Sequence, residues 1–280
     1  MNALEIRDLC KSYKEFELSH LDLTLPMGCI MGLVGENGAG KSTTIKLILN
    51  AIKRDNGTIS ILGRDNRENF ELTKEDIGVV LDESGYADCL TAKQIEQMLK
   101  NIYRNWDSQL FHAYLQKLKV PSDKQYKELS KGMKMKLCIA VALSHQAKLL
   151  ILDEATSGLD PVVRDEVLDI FSEFTRDENH AVLISSHIVS DLEKICDYIA
   201  FMHNGKLMLC EEKDLLKAQY GIVRCDEAGL DAIDKLAVIG KKSSPYGVEA
   251  IVHREAIPAG MDVSPVDLEQ LFIFMVKGEQ

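Results

Sequence analysis

The stretch GENGAGKS, residues 35–42, decides the fold of this chain. It matches the pattern G-x-x-x-x-G-K-[ST], and it lies between the apolar run at 29–34 and a helix-compatible stretch at 43–50. A strand, a glycine-rich loop and a helix in that order form a phosphate-binding loop. Glycines at three positions allow the backbone to turn tightly and to present its N–H groups inward.

The end of this loop carries the groups that a nucleoside triphosphate requires. Lys41 can reach the β- and γ-phosphates, and the hydroxyl of Ser42 can ligate Mg²⁺. The helix that follows directs its positive end towards the same phosphates. The predicted ATP-binding residues of this segment are Gly35, Asn37, Gly38, Gly40, Lys41, Ser42 and Thr43.

A second motif, LLILDE at residues 149–154, places two carboxylates after four apolar residues. The apolar run predicts a buried parallel strand, and ligands bind at the carboxyl ends of such strands. Asp153 can therefore hold Mg²⁺, and Glu154 can polarise an attacking water. The alternative is an ordinary strand followed by an acidic helix cap, which the phosphate-binding loop disfavours.

The third motif is LSKGM, residues 129–133, which precedes a helical run. Ser130 is a typical N-cap, and Gly132 permits close approach to the backbone at the helix start. The motif resembles the signature sequence of ATP-binding-cassette (ABC) ATPases, usually Leu-Ser-Gly-Gly-Gln. That resemblance implies that Ser130 and Gly132 face the γ-phosphate bound by a second subunit.

Three more positions agree with this family. The stretch SGLD, ending at Asp160, resembles the D-loop, whose aspartate positions groups across the subunit interface, and Pro161 suits the first turn of a helix. His187 ends LISSH and resembles the switch histidine, a hydrogen-bond donor to the γ-phosphate. Tyr13, in KSYKEF, matches the aromatic residue that stacks on adenine. Without the resemblance, His187 and Tyr13 would be interpreted as surface residues.

Strands that alternate with helices predict an α/β fold, and the resemblance specifies it further. We expect a P-loop NTPase core of mostly parallel sheet, with an antiparallel β layer at 4–25, a helical subdomain at about 88–146 and a small C-terminal α+β appendix. The predicted boundaries are an ABC ATPase domain at 1–215 and an accessory region at 216–280. Within the latter, strands are expected at 222–225 and 248–253, and helices at 230–236 and 264–275.

Composition restricts the class of protein. The 280 residues are 46% hydrophobic and 28% charged, and no apolar run reaches the ~18–20 residues of a membrane span. A net charge of −11 argues against a general nucleic-acid surface. Seven scattered cysteines without a C-x-x-C pair predict free thiols in a reducing compartment. We therefore expect a cytoplasmic protein with no nucleic-acid partner.

The resemblance implies a head-to-tail homo- or heterodimer with two ATP molecules at its interface. Glu154 would orient the attacking water, while Lys41, His187 and Mg²⁺ neutralise developing charge. Hydrolysis would then remove the ATP bridge and open the dimer. A separate transmembrane permease subunit would recruit the chain to the inner face of the cell membrane, docking in a groove beside residues 82–91.

The chain departs from the family pattern at three positions. Asp82, followed by Glu83, stands where a glutamine that ligates Mg²⁺ is usual, Lys131 replaces the first signature glycine, and Ala155 stands where proline is common. Lys131 would add positive charge near the nucleotide of the partner and offset Asp82. Three features resemble the ABC subunits of exporters of antibiotics or peptides in Gram-positive bacteria. They are the Ser-Lys-Gly-Met variant, the acidic pair and the ending PVDLEQLFIFMVKG.

Two other functions stay open on the sequence. One is a soluble, non-transport ABC ATPase that acts on ribosomes or DNA, although such proteins usually carry two cassettes or a long coiled coil. The other is a regulatory nucleotide-binding module that hydrolyses ATP weakly. The regulatory module is disfavoured by the presence of Lys41, Asp153, Glu154 and His187, although Asp82 leaves it open.

Overall fold

A computed structural model describes residues 1–68, 73–82, 85–245, 247–258 and 260–277; Glu83, the second acidic residue of the pair noted above, lies outside them. The chain divides into two compact units, Met1–Leu209 and Cys210–Gln280. None of the helices described is both long enough and apolar enough to cross a bilayer. All seven cysteines are free thiols, and Cys138 and Cys196 are buried.

The strands and helices are numbered in chain order. The strands are β1 (Asn2–Ser12), β2 (Glu17–Pro26), β3 (Ile30–Gly35), β4 (Asn56–Ile61), β5 (Arg64–Asp65), β6 (Ile77–Val80), β7 (Leu149–Asp153), β8 (Ala181–Ser186), β9 (Tyr198–His203), β10 (Lys206–Glu212), β11 (Tyr220–Cys225), β12 (Val238–Ser244) and β13 (Gly247–His253). The helices are α1 (Lys41–Ile48), α2 (Ala92–Leu99), α3 (Ser108–Lys117), α4 (Lys131–Leu143), α5 (Pro161–Phe174), α6 (Val189–Ile195), α7 (Lys213–Gln219), α8 (Glu227–Asp231) and α9 (Leu268–Lys277).

The central sheet of the first unit has the strand order β10-β9-β3-β8-β7-β6. Strands β3, β6, β7, β8 and β9 run parallel, as the alternation of strands and helices predicts. Every residue of β3, β7 and β8 is buried, because helices cover both faces of such a sheet. The carboxyl ends of these three neighbouring strands therefore lie side by side.

The antiparallel layer of the first unit is a four-stranded sheet in the order β2-β1-β4-β5. The pairing of β1 with β2 brings Ser12 opposite Glu17, so the turn between these strands contains Tyr13 and Phe16. This mixed architecture is the P-loop NTPase fold that the sequence predicts.

The helices α2, α3 and α4 occupy most of the stretch predicted as helical. Thr91 and Asp107 cap the first two through their side chains, and the hydroxyl of Ser130 accepts from the N–H of Met133 at 3.2 Å. The N-cap predicted at Ser130 is therefore present. The capped start fixes where the signature helix α4 begins.

The second unit contains a three-stranded antiparallel sheet, β11-β13-β12, over a core of Val223, Ile233, Ala237, Ala250 and Val252. One predicted helix is wrong here, another begins later than predicted, and one strand was missed. The helix expected at 230–236 is split, because Asp226 caps α8 and Asp234 caps a separate 3₁₀ turn. The last helix begins at Leu268, since Ser264 pairs with Ile222 through two backbone hydrogen bonds of 2.9 Å. Strand β12 was not predicted.

Candidate functional site

A cavity of about 500 Å³ opens at the carboxyl ends of the central strands. The phosphate-binding loop, the turn between β1 and β2, and the ends of β6 and β7 contribute its walls. Its lining residues are Tyr13, Phe16, Glu36, Asn37, Gly38, Gly40, Lys41, Ser42, Thr43, Asp82 and Glu154. Eight of them are residues that the sequence predicts for nucleotide or metal binding, and Glu154 is the predicted base.

The loop adopts a conformation that requires glycine where it begins, at Gly35, and where it meets α1, at Gly40. At Gly35 a Cβ atom would lie 2.7 Å from the carbonyl oxygen of Met202 and 2.8 Å from the Cβ of Ala39, so a side chain does not fit. Gly40 has a φ of 110° and precedes α1, which has no capping side chain. The N-terminal N–H groups of α1 are consequently left for a ligand, as an anion site requires.

Lys41 is buried, with its ammonium group held by three oxygens. Its Nζ donates to the carbonyl of Gly35 at 2.6 Å and to that of Glu36 at 3.3 Å, and it lies 3.3 Å from Oε1 of Glu154. A buried ammonium is tolerable only with such partners. These contacts therefore hold the Lys41 side chain at the floor of the cavity.

Glu154 connects the end of β7 to the end of β8. Its backbone has a φ of 52°, and its N–H donates to the carbonyl oxygen of Ser185 at 3.2 Å and to the Oγ of Ser185 at 3.1 Å. Its Oε2 lies 2.7 Å from Nδ1 of His187. The carboxylate thus lies between the lysine of the phosphate-binding loop and the histidine after β8.

Asp153 lies beside this group and is buried. Its Oδ1 accepts a hydrogen bond of 2.6 Å from the hydroxyl of Ser185, which is fully buried. Sequence reasoning missed Ser185. The signal in the sequence that could have identified Ser185 is the pair of serines that ends an otherwise apolar strand, in LISSH.

The oxygen donors around the cavity fit Mg²⁺, which prefers carboxylate and hydroxyl oxygens. Ser42 and Asp82 line the cavity, and Asp153 lies at the end of β7, next to Glu154. A buried carboxylate that already has a hydrogen-bond donor, as Asp153 has, is typical of a metal site.

Tyr13 and Phe16 form the aromatic wall of the cavity. Their ring centroids are 6.5 Å apart, and the Tyr13 side chain is 49% exposed. An exposed aromatic face beside a phosphate-binding loop can stack on a purine base. Phe16 was not predicted from the sequence, although it belongs to the same KSYKEF stretch.

The signature segment packs against the D-loop of its own chain. A Cβ atom at Gly132 would lie 3.6 Å from Val163 and 3.8 Å from Leu159, while Asp160 caps α5 through the N–H of Val163. The lining residues given above do not include Ser130, Gly132 or Asp160. These three predicted site residues therefore lie outside the wall of their own chain's cavity.

Lys131 contacts two motifs at once within this chain. Its Nζ lies 4.0 Å from Oδ1 of Asp82, and it would lie 2.8 Å from a Cβ atom at Gly158, whose φ is 67°. Lys131 and Asp82 thus form an ion pair within one subunit. The expectation from the sequence that Lys131 lies near the nucleotide of a partner subunit stays a prediction.

Comparison with known proteins points to one family. The sequence profile described as "ABC transporter" matches residues 18–157. The chain is 29% identical over 290 residues to the ABC transporter ATP-binding protein YtrB of Bacillus subtilis, covering 99% of each. It is 36% identical over 214 residues to the lantibiotic transport ATP-binding protein SrtF of Streptococcus pyogenes, which covers 75% of this chain and 91% of that protein.

Two further comparisons extend this result. The bacitracin transport ATP-binding protein BcrA of Bacillus licheniformis is 35% identical over 211 residues, covering 73% of this chain and 68% of that protein. A solved ATP-binding subunit of an ABC transporter is 26% identical with a TM-score of 0.71, covering 78% of this chain and 92% of that chain. The dimeric cassette MJ0796 with ADP and Pi has a TM-score of 0.68 at 20% identity, covers 75% of this chain and 98% of that chain, and supports the fold alone.

Proposed function

Since this chain belongs to the ABC transporter family as an ATP-binding subunit and ATPase, we propose that it powers a membrane exporter by ATP-driven dimerisation and hydrolysis-driven opening. The observation that carries the catalytic part is the position of the Glu154 carboxylate. It lies within 3.3 Å of Lys41 on one side and 2.7 Å of His187 on the other.

In this proposal a water attacks the γ-phosphorus in line with the bond to the leaving phosphate. Glu154 orients that water and accepts its proton, while Lys41 and His187 stabilise charge on the γ-phosphate oxygens. In that role His187 would keep Nδ1 against Glu154 and turn Nε2 towards the γ-phosphate. Tyr13 would hold the adenine, and Gly35, Asn37, Gly38, Gly40, Lys41, Ser42 and Thr43 the phosphates.

Ser42, Asp82 and Asp153 would hold Mg²⁺, which when bound supplies positive charge next to the phosphate oxygens. Asp82 replaces the usual glutamine with a group that accepts hydrogen bonds but does not donate them when ionised. Lys131, whose Nζ lies 4.0 Å from Oδ1 of Asp82, would offset the negative charge that the aspartate adds in place of a neutral glutamine.

A second subunit completes the site in this proposal. Ser130 and Gly132 lie outside the cavity wall of their own chain, so they are available to the nucleotide of another. Asp160, at the start of α5, would position groups across the same interface. A net charge of −11 per chain opposes association in the absence of the nucleotide bridge.

The names of two relatives support export over another use of ATP. BcrA and SrtF are named as bacitracin and lantibiotic transport proteins. The match spans more than two thirds of the length of each. The partner would be a separate transmembrane permease at the inner face of the membrane. Residues 1–215 would be the ATPase domain, and 216–280 an accessory region.

Co-purification tests this proposal against its alternatives. The tagged full chain is isolated from detergent-solubilised membranes, with the Lys41→Ala variant as a control for nucleotide-dependent assembly. We expect a stoichiometric integral membrane protein and ATPase activity in the complex. Recovery of ribosomal proteins or DNA instead would support the soluble ATPase, and a complex without ATPase activity would support the regulatory module.

A further inference from the structure

Three chemically different side chains meet on the antiparallel sheet, away from the nucleotide cavity. Asp8 and Cys10 lie on β1 and His20 on β2, and one potential ligand atom from each lies within 4.8 Å of the other two. Across the described ranges of the chain, no other three His, Cys, Asp or Glu side chains converge in this way. We propose that Asp8, Cys10 and His20 form a binding site for a divalent transition-metal ion of the Zn²⁺ class.

The backbone brings these side chains together. Asp8 and Cys10 are two residues apart on one strand, where alternate side chains point to the same face. The pairing of β1 with β2 shifts register on both sides of Leu9, and Asp8 and His20 have φ values of 50° and 49°. L-residues seldom adopt this left-handed conformation, and such positions concentrate at functional sites.

The potential ligand atoms face one another directly. Nδ1 of His20 lies 2.5 Å from Oδ1 of Asp8 and 3.9 Å from Sγ of Cys10. In a tetrahedral zinc site with ordinary bond lengths, the nitrogen–oxygen separation is about 3.3 Å and the nitrogen–sulfur separation about 3.6 Å. An entering ion would therefore move these atoms by less than about 1 Å.

Neighbouring groups hold the ligands in place. The amide of Asn56 donates to Oδ2 of Asp8 at 2.6 Å and leaves Oδ1 for His20. The backbone N–H of His20 donates to Sγ of Cys10 at 3.4 Å. Hydrogen bonds to the ligands from outside the first coordination sphere are characteristic of metal sites.

The local charge favours a cation. The carboxylate of Asp8 is itself one of the proposed ligands, and Asp22 lies next to it, since its Oδ1 accepts a hydrogen bond of 3.0 Å from the backbone N–H of Asp8. Cysteine, histidine and aspartate together are ligands that suit Zn²⁺ and Co²⁺, with a fourth position left to water.

Cobalt titration of the full, reduced and chelator-stripped chain tests the site. Co²⁺ is added in the absence of nucleotide, and the near-ultraviolet thiolate-to-cobalt band is recorded. We expect a saturable band at one ion per chain that Zn²⁺ abolishes. Because the nucleotide cavity offers oxygen ligands for the metal, ions bound there contribute nothing to this band.

Matched variants identify the ligands. Cys10→Ser should lose the band, His20→Asn should weaken Co²⁺ binding at least tenfold, and Asn56→Ala should weaken it about tenfold through Asp8. Cys89→Ser removes an exposed cysteine elsewhere and should change nothing. Urea midpoints confirm that each variant is folded. A wild-type protein without the band, or a band that persists in Cys10→Ser, overturns the proposal.

Discussion

Nδ1 of His187 lies 2.7 Å from Oε2 of Glu154, and this contact joins two motifs that are far apart in the sequence. The histidine follows β8 and the glutamate follows β7, and these strands are neighbours in a parallel sheet. The other carboxylate oxygen of Glu154 faces Lys41 at 3.3 Å. Between these two groups the Glu154 carboxylate has little freedom to rotate, as its proposed role of orienting a water requires.

The first prediction concerns the proposed role of Glu154 as the catalytic base. Glu154→Gln should retain ATP binding, reduce turnover by about 10²–10⁴-fold and accumulate ATP-bound dimers, because the amide cannot accept a proton. Single-turnover hydrolysis and size-exclusion chromatography with ATP measure both effects. Glu178→Gln, an exposed substitution, is the control. Hydrolysis at the wild-type rate by Glu154→Gln would show that another group acts as the base.

A second prediction concerns Ser185, whose hydroxyl donates to Asp153. Ser185→Ala should lower the free energy of unfolding by about 1–3 kcal/mol, since it leaves a buried carboxylate oxygen without that donor. Urea unfolding without nucleotide measures the change. Ser186→Ala removes the adjacent buried hydroxyl, which accepts from the N–H of Ile188 rather than contacting a carboxylate, and should cost less. Equal losses in both variants would contradict a special role for Ser185.

The ion pair between Lys131 and Asp82 gives a third prediction. Lys131→Gln should weaken ATP binding several-fold, because Asp82 lines the cavity and would then repel the triphosphate without a counter-charge. Both side chains are about half exposed, so the effect should stay near 1 kcal/mol and shrink with added salt.

A double-mutant cycle separates this pair from other effects. In an Asp82→Asn background, Lys131→Gln should leave the ATP affinity almost unchanged, and Lys194→Gln provides a lysine control that pairs with Asp165 instead. Affinities are measured by equilibrium titration with ATP. The same loss in both backgrounds would mean that Lys131 acts on the nucleotide without Asp82.

The fourth prediction is a dependence of stability on pH. Burial lowers the pKa of His145 below its usual 6.5, and hydrogen bonds to the carbonyls of Ile77 and Val141 offset this only in part. The unfolded chain therefore binds the proton first as the pH falls below about 6.5, so stability present at neutral pH is lost in acid.

Urea midpoints at pH 7.5 and 5.5 measure this loss. His145→Gln removes the titration and should show a smaller decrease in its midpoint over the same interval. His112→Gln replaces a histidine that is half exposed and serves as the control. An unchanged pH dependence in His145→Gln would show that the buried imidazole is not the responsible group.

Much of the fold could be predicted from the sequence because its signals are local. The strands β7 and β8 are where their apolar runs place them, and Ser130 caps α4 as its residue type predicts. In the second unit local signals were weaker: the short helix there was misplaced, because two aspartates cap separate turns. Strand β12 is largely polar and exposed at one end, so periodicity did not reveal it.

The sequence by itself determined the family, the α/β class and most of the residues that line the cavity, since each motif is a short, ordered run of residue types that indicate their own chemistry. Only the tertiary structure decided that Ser185 holds Asp153, that Lys131 pairs with Asp82 of its own chain, and that Asp8, Cys10 and His20 converge. These contacts depend on the register of neighbouring strands and on loop paths. Residues distant in sequence meet there, and local propensity carries no information about such distances.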